Sequence, residues 1–138
     1  MTSHWLIKSE PGTYAFADLV REKRAVWDGI RNFAARNNLR AMKKADLLLY
    51  YHTGEEKQVV GIAKVTRSAY ADPSATEGDW SAVDVAPVKA LGQPVTLAQM
   101  KQERALAGFA LLRQGRLSVV PVSPAEFSHI LALGLTKL

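Results

Sequence analysis

The middle of the sequence reads DLLLYYH (46–52), TGEEK (53–57) and QVVGIAKVT (58–66), and these three patterns are those of two strands joined by a turn. The first is continuously apolar, as in a buried strand. The second is polar and contains glycine, which is typical of a hairpin loop. The third places Val59, Gly61, Ala63 and Val65 at alternate positions, as a half-buried strand does. The segment therefore predicts a β-hairpin whose first strand is buried.

Short strands and short helices are predicted on both sides of this hairpin. The further strand candidates are residues 4–8, 25–27, 80–88 and 117–122, with a loop at 69–79 and a break at 91–94. The helix candidates are residues 16–20 and 31–43, and two segments that begin with the capping boxes Thr96–Gln99 and Ser123–Glu126. Strands and long helices do not alternate regularly, which argues against a doubly wound parallel sheet. We therefore expect an α+β fold, a small, partly closed mixed β-barrel of five to six strands surrounded by short helices.

Two of these helix candidates have a clear apolar face. Ala35, Leu39 and Met42 share one face of the candidate at residues 31–43. Phe127, Ile130 and Leu131 share one face of the candidate that begins at Ser123. Gly134 follows the last helix and can end it.

The composition is that of a small globular protein without special reinforcement. A length of 138 residues fits one domain over residues 1–138. The chain has no cysteine, which excludes disulfides, thiolate metal sites and a cysteine nucleophile. Its first apolar run, residues 5–7, is too short for a signal peptide, and no stretch has the length of a membrane span. We expect a soluble, cytoplasmic protein that does not bind membranes.

Basic residues are concentrated in one segment. The formal net charge is +5 and the sequence pI is about 9.6, a level at which nucleic-acid binding is worth testing. Residues 21–44 contain eight basic and two acidic residues. This segment could contact phosphates, or it could be a solvated helix face whose counter-charges lie elsewhere in the fold.

Most catalytic and cofactor motifs are missing from the sequence. His4, His52 and His129 do not have the spacing of metal ligands. The sequence has no Gly-x-Ser-x-Gly elbow and no glycine-rich phosphate loop. We therefore expect no metal, no cofactor and no catalytic residue.

Two carboxylates, Glu10 and Asp28, lie where a predicted strand gives way to a turn, and their role has three readings. They could perform acid–base chemistry if they share a pocket. They could accept hydrogen bonds from the amino group of a base, as carboxylates do with cytosine. Glu10 could also simply pair with a neighbouring basic residue. The residues alone do not separate these readings.

One of the three tryptophans stands in a setting that favours ligand contact. Trp5 and Trp80 are interpreted as core residues, as most aromatic residues are. Trp27 lies directly before the turn residues Asp28 and Gly29, and the polar pair Arg31–Asn32 follows. An indole at a strand end beside polar groups can serve as a surface on which a base stacks.

Several segments, in this order, resemble the EVE domain family. They are HWLIKSEP (4–11), WDGIRN (27–32), ARNNLRAMK (35–43), DLLLYYH (46–52), VGIA (60–63) and RQGRLS (113–118). The resemblance extends over residues 4–131, nearly the whole chain.

This resemblance implies a PUA-like fold and kinship with YTH domains, which recognise methylated adenine in RNA. Eukaryotic members are linked to modified cytosine in DNA. By the same resemblance, Lys8, Ser9 and Glu10 border a pocket, and Trp27 and Asp28 supply its aromatic and polar walls. The chain departs from many members at Phe33 and Ala34, where tyrosine and glutamine are common, so the selectivity of the pocket is expected to differ.

The resulting hypothesis is a non-catalytic domain that binds nucleic acid, DNA or RNA, and holds one base, expected to be a modified one. The expected base-binding residues are Lys8, Ser9, Glu10, Trp27, Asp28, Asn32, His52 and Ser118. The expected phosphate-binding residues are Arg31, Arg36, Arg40, Lys43 and Arg116. Two alternatives stay open: an enzyme acting on a modified base with Glu10 or Asp28 as general base, and a module that binds small molecules or proteins.

Overall fold

The chain was analysed as a computed structural model that describes residues 2–138, and in this part of the chain six strands combine with six α-helices and one 3-10 helix. The strands are β1 (His4–Ser9), β2 (Ala25–Trp27), β3 (Leu47–His52), β4 (Gln58–Ala71), β5 (Ser81–Thr96) and β6 (Val119–Val122). The α-helices are α1 (Pro11–Tyr14), α2 (Phe16–Glu22), α3 (Phe33–Ala41), α4 (Leu97–Lys101), α5 (Ala110–Arg113) and α6 (Pro124–Leu133), and the 3-10 helix is Arg104–Leu106. No helix between residues 2 and 138 is both long and apolar enough to cross a bilayer.

The six strands form one mixed sheet in the order β2-β5-β4-β3-β1-β6. The predicted hairpin is present as antiparallel β3 and β4, with a register shift at Tyr50/Tyr51. β1 runs parallel to β3, and the other neighbouring pairs are antiparallel. The predicted α+β class and strand number are confirmed. Where the sequence led us to expect a partly closed barrel, the structure has an open sheet, with β2 and β6 as its edge strands.

The long strands β4 and β5 differ from the sequence-based expectation. A break was expected at residues 91–94, but β5 continues to Thr96 and accommodates them as a bulge, since Val59 pairs with Val95 and Gly61 with Ala90. The C-terminal segment supplies the bulge with partners: the Gly92 N–H donates to Thr136 Oγ1 (2.8 Å) and the Gln93 N–H to the Gly134 carbonyl (3.1 Å). This long-range pairing satisfies the backbone at a place where the sequence reads as a turn.

The predicted helix faces pack into the core. Ala35, Leu39 and Met42 of the α3 segment are buried, as are Phe127, Ile130 and Leu131 of α6. The capping box at Ser123–Glu126 is complete, whereas α4 is capped by the bond from the Gln99 N–H to Thr96 Oγ1 (3.0 Å). The interpretation of Trp80 as a core residue is wrong. Trp80 is only partly buried, and its indole stacks on the exposed side chain of Phe33.

Gly61 provides a test of this packing. A Cβ at this position would lie 2.5 Å from two atoms of the Phe16 ring, which is itself buried. Gly61→Ala is therefore expected to lower the free energy of unfolding by about 1–3 kcal/mol, the usual cost of overpacking a core. Chemical denaturation measures the change. Gly115→Ala is the matched control, since no atom lies within 4 Å of its Cβ position, and equal stability of the two variants would contradict the packing argument.

Candidate nucleic-acid interface

A cavity of about 580 Å³ lies where the ends of β1 and β2 approach each other. This volume falls within the range of about 300–1,000 Å³ that is usual for ligand pockets. Three of the predicted base-binding residues, Ser9, Trp27 and Asp28, line it together. The other lining residues are Thr13, Tyr14, Glu22, Arg24, Ala25 and Val26.

The backbone carbonyl of Tyr14 connects the two sides of this cavity. It accepts hydrogen bonds from Ser9 Oγ (2.6 Å) and from the hydroxyl of Tyr50 (2.9 Å). Tyr50 is fully buried in β3, and Ser9 ends β1. Because β1 and β2 are not neighbours in the sheet, the segment between them has to fold back to bring Ser9 and Trp27 to one cavity, and these two bonds fix that segment.

Two tyrosines set the orientation of the Trp27 indole. The Tyr14 ring lies 6.3 Å away at an interplanar angle of 67°, and the Tyr50 ring lies 5.6 Å away at 76°. Both are edge-type contacts, so neither ring covers Trp27 by parallel stacking. Trp27 is half-buried and faces the cavity, which leaves it suited to stack on a planar ligand.

The polar wall of the cavity is rich in hydrogen-bond acceptors. The Tyr14 hydroxyl donates to Glu22 Oε1 (3.0 Å). Burial, together with this bond to the carboxylate, raises the pKa of Tyr14 to about 12, which keeps the phenol neutral. Asp28 is exposed and lines the cavity, and Ser9 Oγ has already donated its hydrogen to the Tyr14 carbonyl. Arg24 adds one cationic group to the lining.

Asp72 anchors the turn that carries Asp28. Its side chain is fully buried, and its carboxylate accepts from the Gly29 N–H (2.9 Å), Arg31 (2.9 Å), and the N–H (2.7 Å) and hydroxyl (2.6 Å) of Ser74. Burial alone would raise the pKa of Asp72, but the bonds from Ser74, Arg31 and Gly29 hold it well below its usual range. The loop after β4 is thereby tied to residues 29–31, beside the cavity.

The remaining predicted base-binding residues do not line this cavity. The Glu10 carboxylate caps α1 by accepting from the Gly12 N–H (3.1 Å and 3.2 Å to its two oxygens). Asn32 caps α3, because its Oδ1 accepts from the Ala35 N–H (2.9 Å). Both residues occupy positions at which acceptor side chains satisfy free helix N–H groups.

His52, Lys8 and Ser118 also make contacts within the fold. His52 is buried; its Nε2 accepts from the Phe16 N–H (3.0 Å) and its Nδ1 lies 2.8 Å from Glu56 Oε1, so the arrangement requires the proton on Nδ1. Lys8 donates to the Gly115 carbonyl (2.8 Å), and burial lowers the pKa of Lys8. The Lys8 N–H donates to the Ser118 carbonyl (3.1 Å).

The predicted phosphate-binding residues fall into two groups. Arg36 and Arg40 lie on α3, and Arg31 lies just before it. All three contact the loop between β4 and β5. Arg36 donates to the Asp79 carbonyl (3.1 Å), and Arg40 pairs with the Asp79 carboxylate (2.6 Å). The exposed Lys43 follows α3 and lines a different cavity near the start of β1, and the exposed Arg116 lies in the turn before β6. The structure therefore gathers three of the five.

Four lining residues with polar groups, Thr13, Tyr14, Glu22 and Arg24, were not predicted from the sequence. They belong to the segment between the two predicted pocket edges, Ser9 and Trp27. Their location in this segment was the only signal in the sequence that could have identified them, because a segment that links two edges of a pocket often contributes to its wall. Nothing in their spacing indicates which of their side chains face the cavity.

Comparison with known proteins identifies the family to which this chain belongs. The model of the EVE domain matches residues 3–133. The chain belongs to the EVE domain family. The resemblance drawn from the sequence segments is thereby confirmed.

Relatives of this EVE domain align over nearly its whole length. It is 33% identical to mouse thymocyte nuclear protein 1, with 99% of this chain and 76% of the relative covered. A Leishmania major protein of solved structure is 41% identical with a TM-score of 0.91, covering 98% of this chain and 96% of that one. Human THYN1, solved in complex with DNA containing 5-methylcytosine, is 32% identical with a TM-score of 0.89, covering 99% of this chain and 100% of that one.

Proposed function

We propose that this EVE domain is a non-catalytic nucleic-acid-binding protein that holds one modified base in the cavity between Ser9 and Trp27. The observation that carries the proposal is the Trp27 indole, which lines a cavity of suitable size and, among residues 2–138, has no ring stacked parallel to it. Proteins that take a base out of a nucleic-acid stack hold it by stacking and by hydrogen bonds to its edge. The complex of human THYN1 with 5-methylcytosine DNA supports this function.

The acceptors of the cavity wall favour a base that presents an amino group. Ser9 Oγ, Glu22 and Asp28 all offer oxygen atoms to the cavity, and carboxylates accept well from the N4 amino group of cytosine. A 5-methyl substituent adds apolar surface, for which Val26 and Trp27 of β2 are available. We therefore propose modified cytosine in DNA as the first ligand to test.

A binding screen at two salt concentrations tests the function. Short DNA and RNA strands carry one central base, either plain or modified, and are titrated by fluorescence anisotropy. We expect tightest binding to a modified cytosine, with affinity falling as salt rises. If RNA strands bind more tightly than the matching DNA strands, RNA replaces DNA as the proposed ligand. Mass spectrometry of the recovered strands should return them unchanged, and a new product would instead indicate an enzyme.

Arg24 is expected to contribute affinity without contributing base preference. It is an exposed cation on the cavity lining, and a contact from such a residue to phosphate positions the strand without reading its bases. Arg24→Ala should weaken plain and modified strands alike and reduce the salt slope by about 0.7 on single strands. Lys101→Ala, an exposed substitution in α4, should leave the slope unchanged. A variant that loses base preference at constant slope would assign Arg24 to base recognition.

A further inference from the structure

A second aromatic surface lies next to the cavity, formed by Phe33, Trp80, Arg31 and Arg36, which we term the aromatic–arginine cluster. The Phe33 and Trp80 rings stack with centroids 5.2 Å apart and an interplanar angle of 16°. The Arg36 guanidinium lies 5.0 Å from the Phe33 ring and 5.8 Å from the Trp80 ring, and that of Arg31 lies 5.5 Å from Trp80. Two rings and two cations therefore share one surface.

This cluster is not part of the hydrophobic core. Phe33 is 65% exposed, although it is one of the larger apolar side chains. Its stacking partner Trp80 is also only partly buried. An aromatic ring at this exposure gains little from burial in the free protein, and a ring bordered by arginines is a common surface for stacking single-stranded bases.

The charges of the cluster favour an anionic partner. Arg31 pairs with the buried Asp72, but its side chain is still 40% exposed. Within residues 2–138, Arg36 has no carboxylate partner and bonds to the Asp79 carbonyl and to the side-chain oxygen of Asn37. The positive charge of Arg36, beside the exposed Phe33 ring, is therefore not balanced by one of these partners, which are neutral oxygens. Phosphate groups next to a stacked base match this arrangement.

The cluster is connected directly to the cavity. Asp28 lines the cavity, and the next residue, Gly29, donates its N–H to the same Asp72 carboxylate oxygen that binds Arg31. The turn that carries Asp28 and the guanidinium that contacts Trp80 are thus held by one oxygen atom. A strand whose base occupies the cavity would pass this cluster with its neighbouring nucleotides.

We propose that the aromatic–arginine cluster binds a nucleotide adjacent to the base in the cavity, with that neighbouring base stacked on the outer face of Phe33 and its phosphate beside Arg36. This inference rests on the proposed function and adds a second contact to it. It makes the domain a binder of at least two successive nucleotides.

The test compares two single-stranded DNA pentanucleotides, each with a central 5-methylcytosine. In one, thymidines flank the central base; in the other, abasic residues replace them. Phe33→Ala should weaken binding of the thymidine-flanked strand about tenfold and leave the abasic-flanked strand unchanged. Trp27→Ala should weaken both strands alike, since it acts on the central base.

Two further variants control for indirect effects. Phe33→Trp keeps an aromatic face and should preserve the preference for flanking thymidines, and Val88→Ala removes exposed apolar surface elsewhere and should change neither affinity. Equal losses on both strands in Phe33→Ala would show that Phe33 only holds the loop against α3, and would overturn the inference, as would no loss on either. If the wild-type protein binds neither strand, both the inference and the proposed function fail. If binding depends on Trp27 but not on Phe33, only the inference fails.

Discussion

Trp27→Ala is expected to abolish the preference for a modified base over its plain counterpart. Stacking on an aromatic side chain contributes about 1–3 kcal/mol per base, which corresponds to a loss of about fivefold to 150-fold in affinity. Tyr14 and Tyr50 make edge-type contacts with the indole. In Trp27→Ala, neither tyrosine would replace the flat surface on which the base is proposed to stack. Anisotropy titrations with matched plain and 5-methylcytosine strands measure both affinities.

The control for this variant is Trp27→Phe, which retains a smaller flat ring and should keep part of the preference. Both variants require a check of folding, because Trp27 is half-buried and touches the core residue Tyr50. Near-ultraviolet circular dichroism and thermal unfolding provide it. If folded Trp27→Ala loses equal affinity for plain and modified bases, Trp27 does not provide the preference, and if it loses no affinity, Trp27 does not stack on the recognised base.

Asp72→Asn is expected to cause the largest loss of stability among the surface-loop substitutions. The carboxylate accepts from four donors, two on each oxygen. An asparagine can accept on one oxygen only, and its amide NH₂ would face two donors in a buried position. With charge-assisted bonds lost, we expect the free energy of unfolding to fall by about 2–4 kcal/mol. Binding should weaken as well, because Gly29 and Arg31 lose their common anchor.

The pH dependence of this effect has a definite sign. The folded-state pKa of Asp72 lies below its unfolded value of about 3.9, so its contribution is complete above that pH and declines as pH falls further. The difference in stability between wild type and Asp72→Asn should therefore be constant near neutral pH and shrink below about pH 4. Urea denaturation at a series of pH values measures it.

Asp79→Asn is the matched control for Asp72. Asp79 also pairs with an arginine, at 2.6 Å from Arg40, but its side chain is 80% exposed. Exposed ion pairs contribute little to stability because water and salt screen them. The control should be close to wild type at every pH, and a loss as large as that of Asp72→Asn would show that burial is not the cause of the difference.

The short-range features of the fold could be predicted from the sequence. The hairpin of residues 46–66, the buried faces of α3 and α6 and the complete capping box at Ser123 all depend on residues within a few positions of one another. Hydrophobic periodicity and capping chemistry are local, so they can be recognised along the chain. The family resemblance also correctly identified the EVE domain, and it named Ser9, Trp27 and Asp28, which line one cavity in the structure.

The errors about residues 91–94 and about Trp80 share a long-range cause. Residues 91–94 look like a break, but residues 134–136 supply their hydrogen bonds. Trp80 looks like a core residue, but its partner Phe33 lies far away in the sequence and is exposed. Glu10, Asn32 and His52 look available for a base, yet their acceptor atoms bind N–H groups of nearby or distant backbone.

By itself, then, the sequence determined the α+β class, the approximate positions of most strands and helices, the family and the choice of Trp27 as the residue proposed to stack on a base. Only the tertiary structure decided which polar groups accompany Trp27, because Tyr14, Glu22 and Arg24 reach the cavity only after the segment between β1 and β2 folds back and Tyr14 is bonded to Ser9 and Tyr50. The physical reason is that a hydrogen-bonding side chain is available to a ligand only if the folded backbone has not already used it, and distant segments of the chain determine that use.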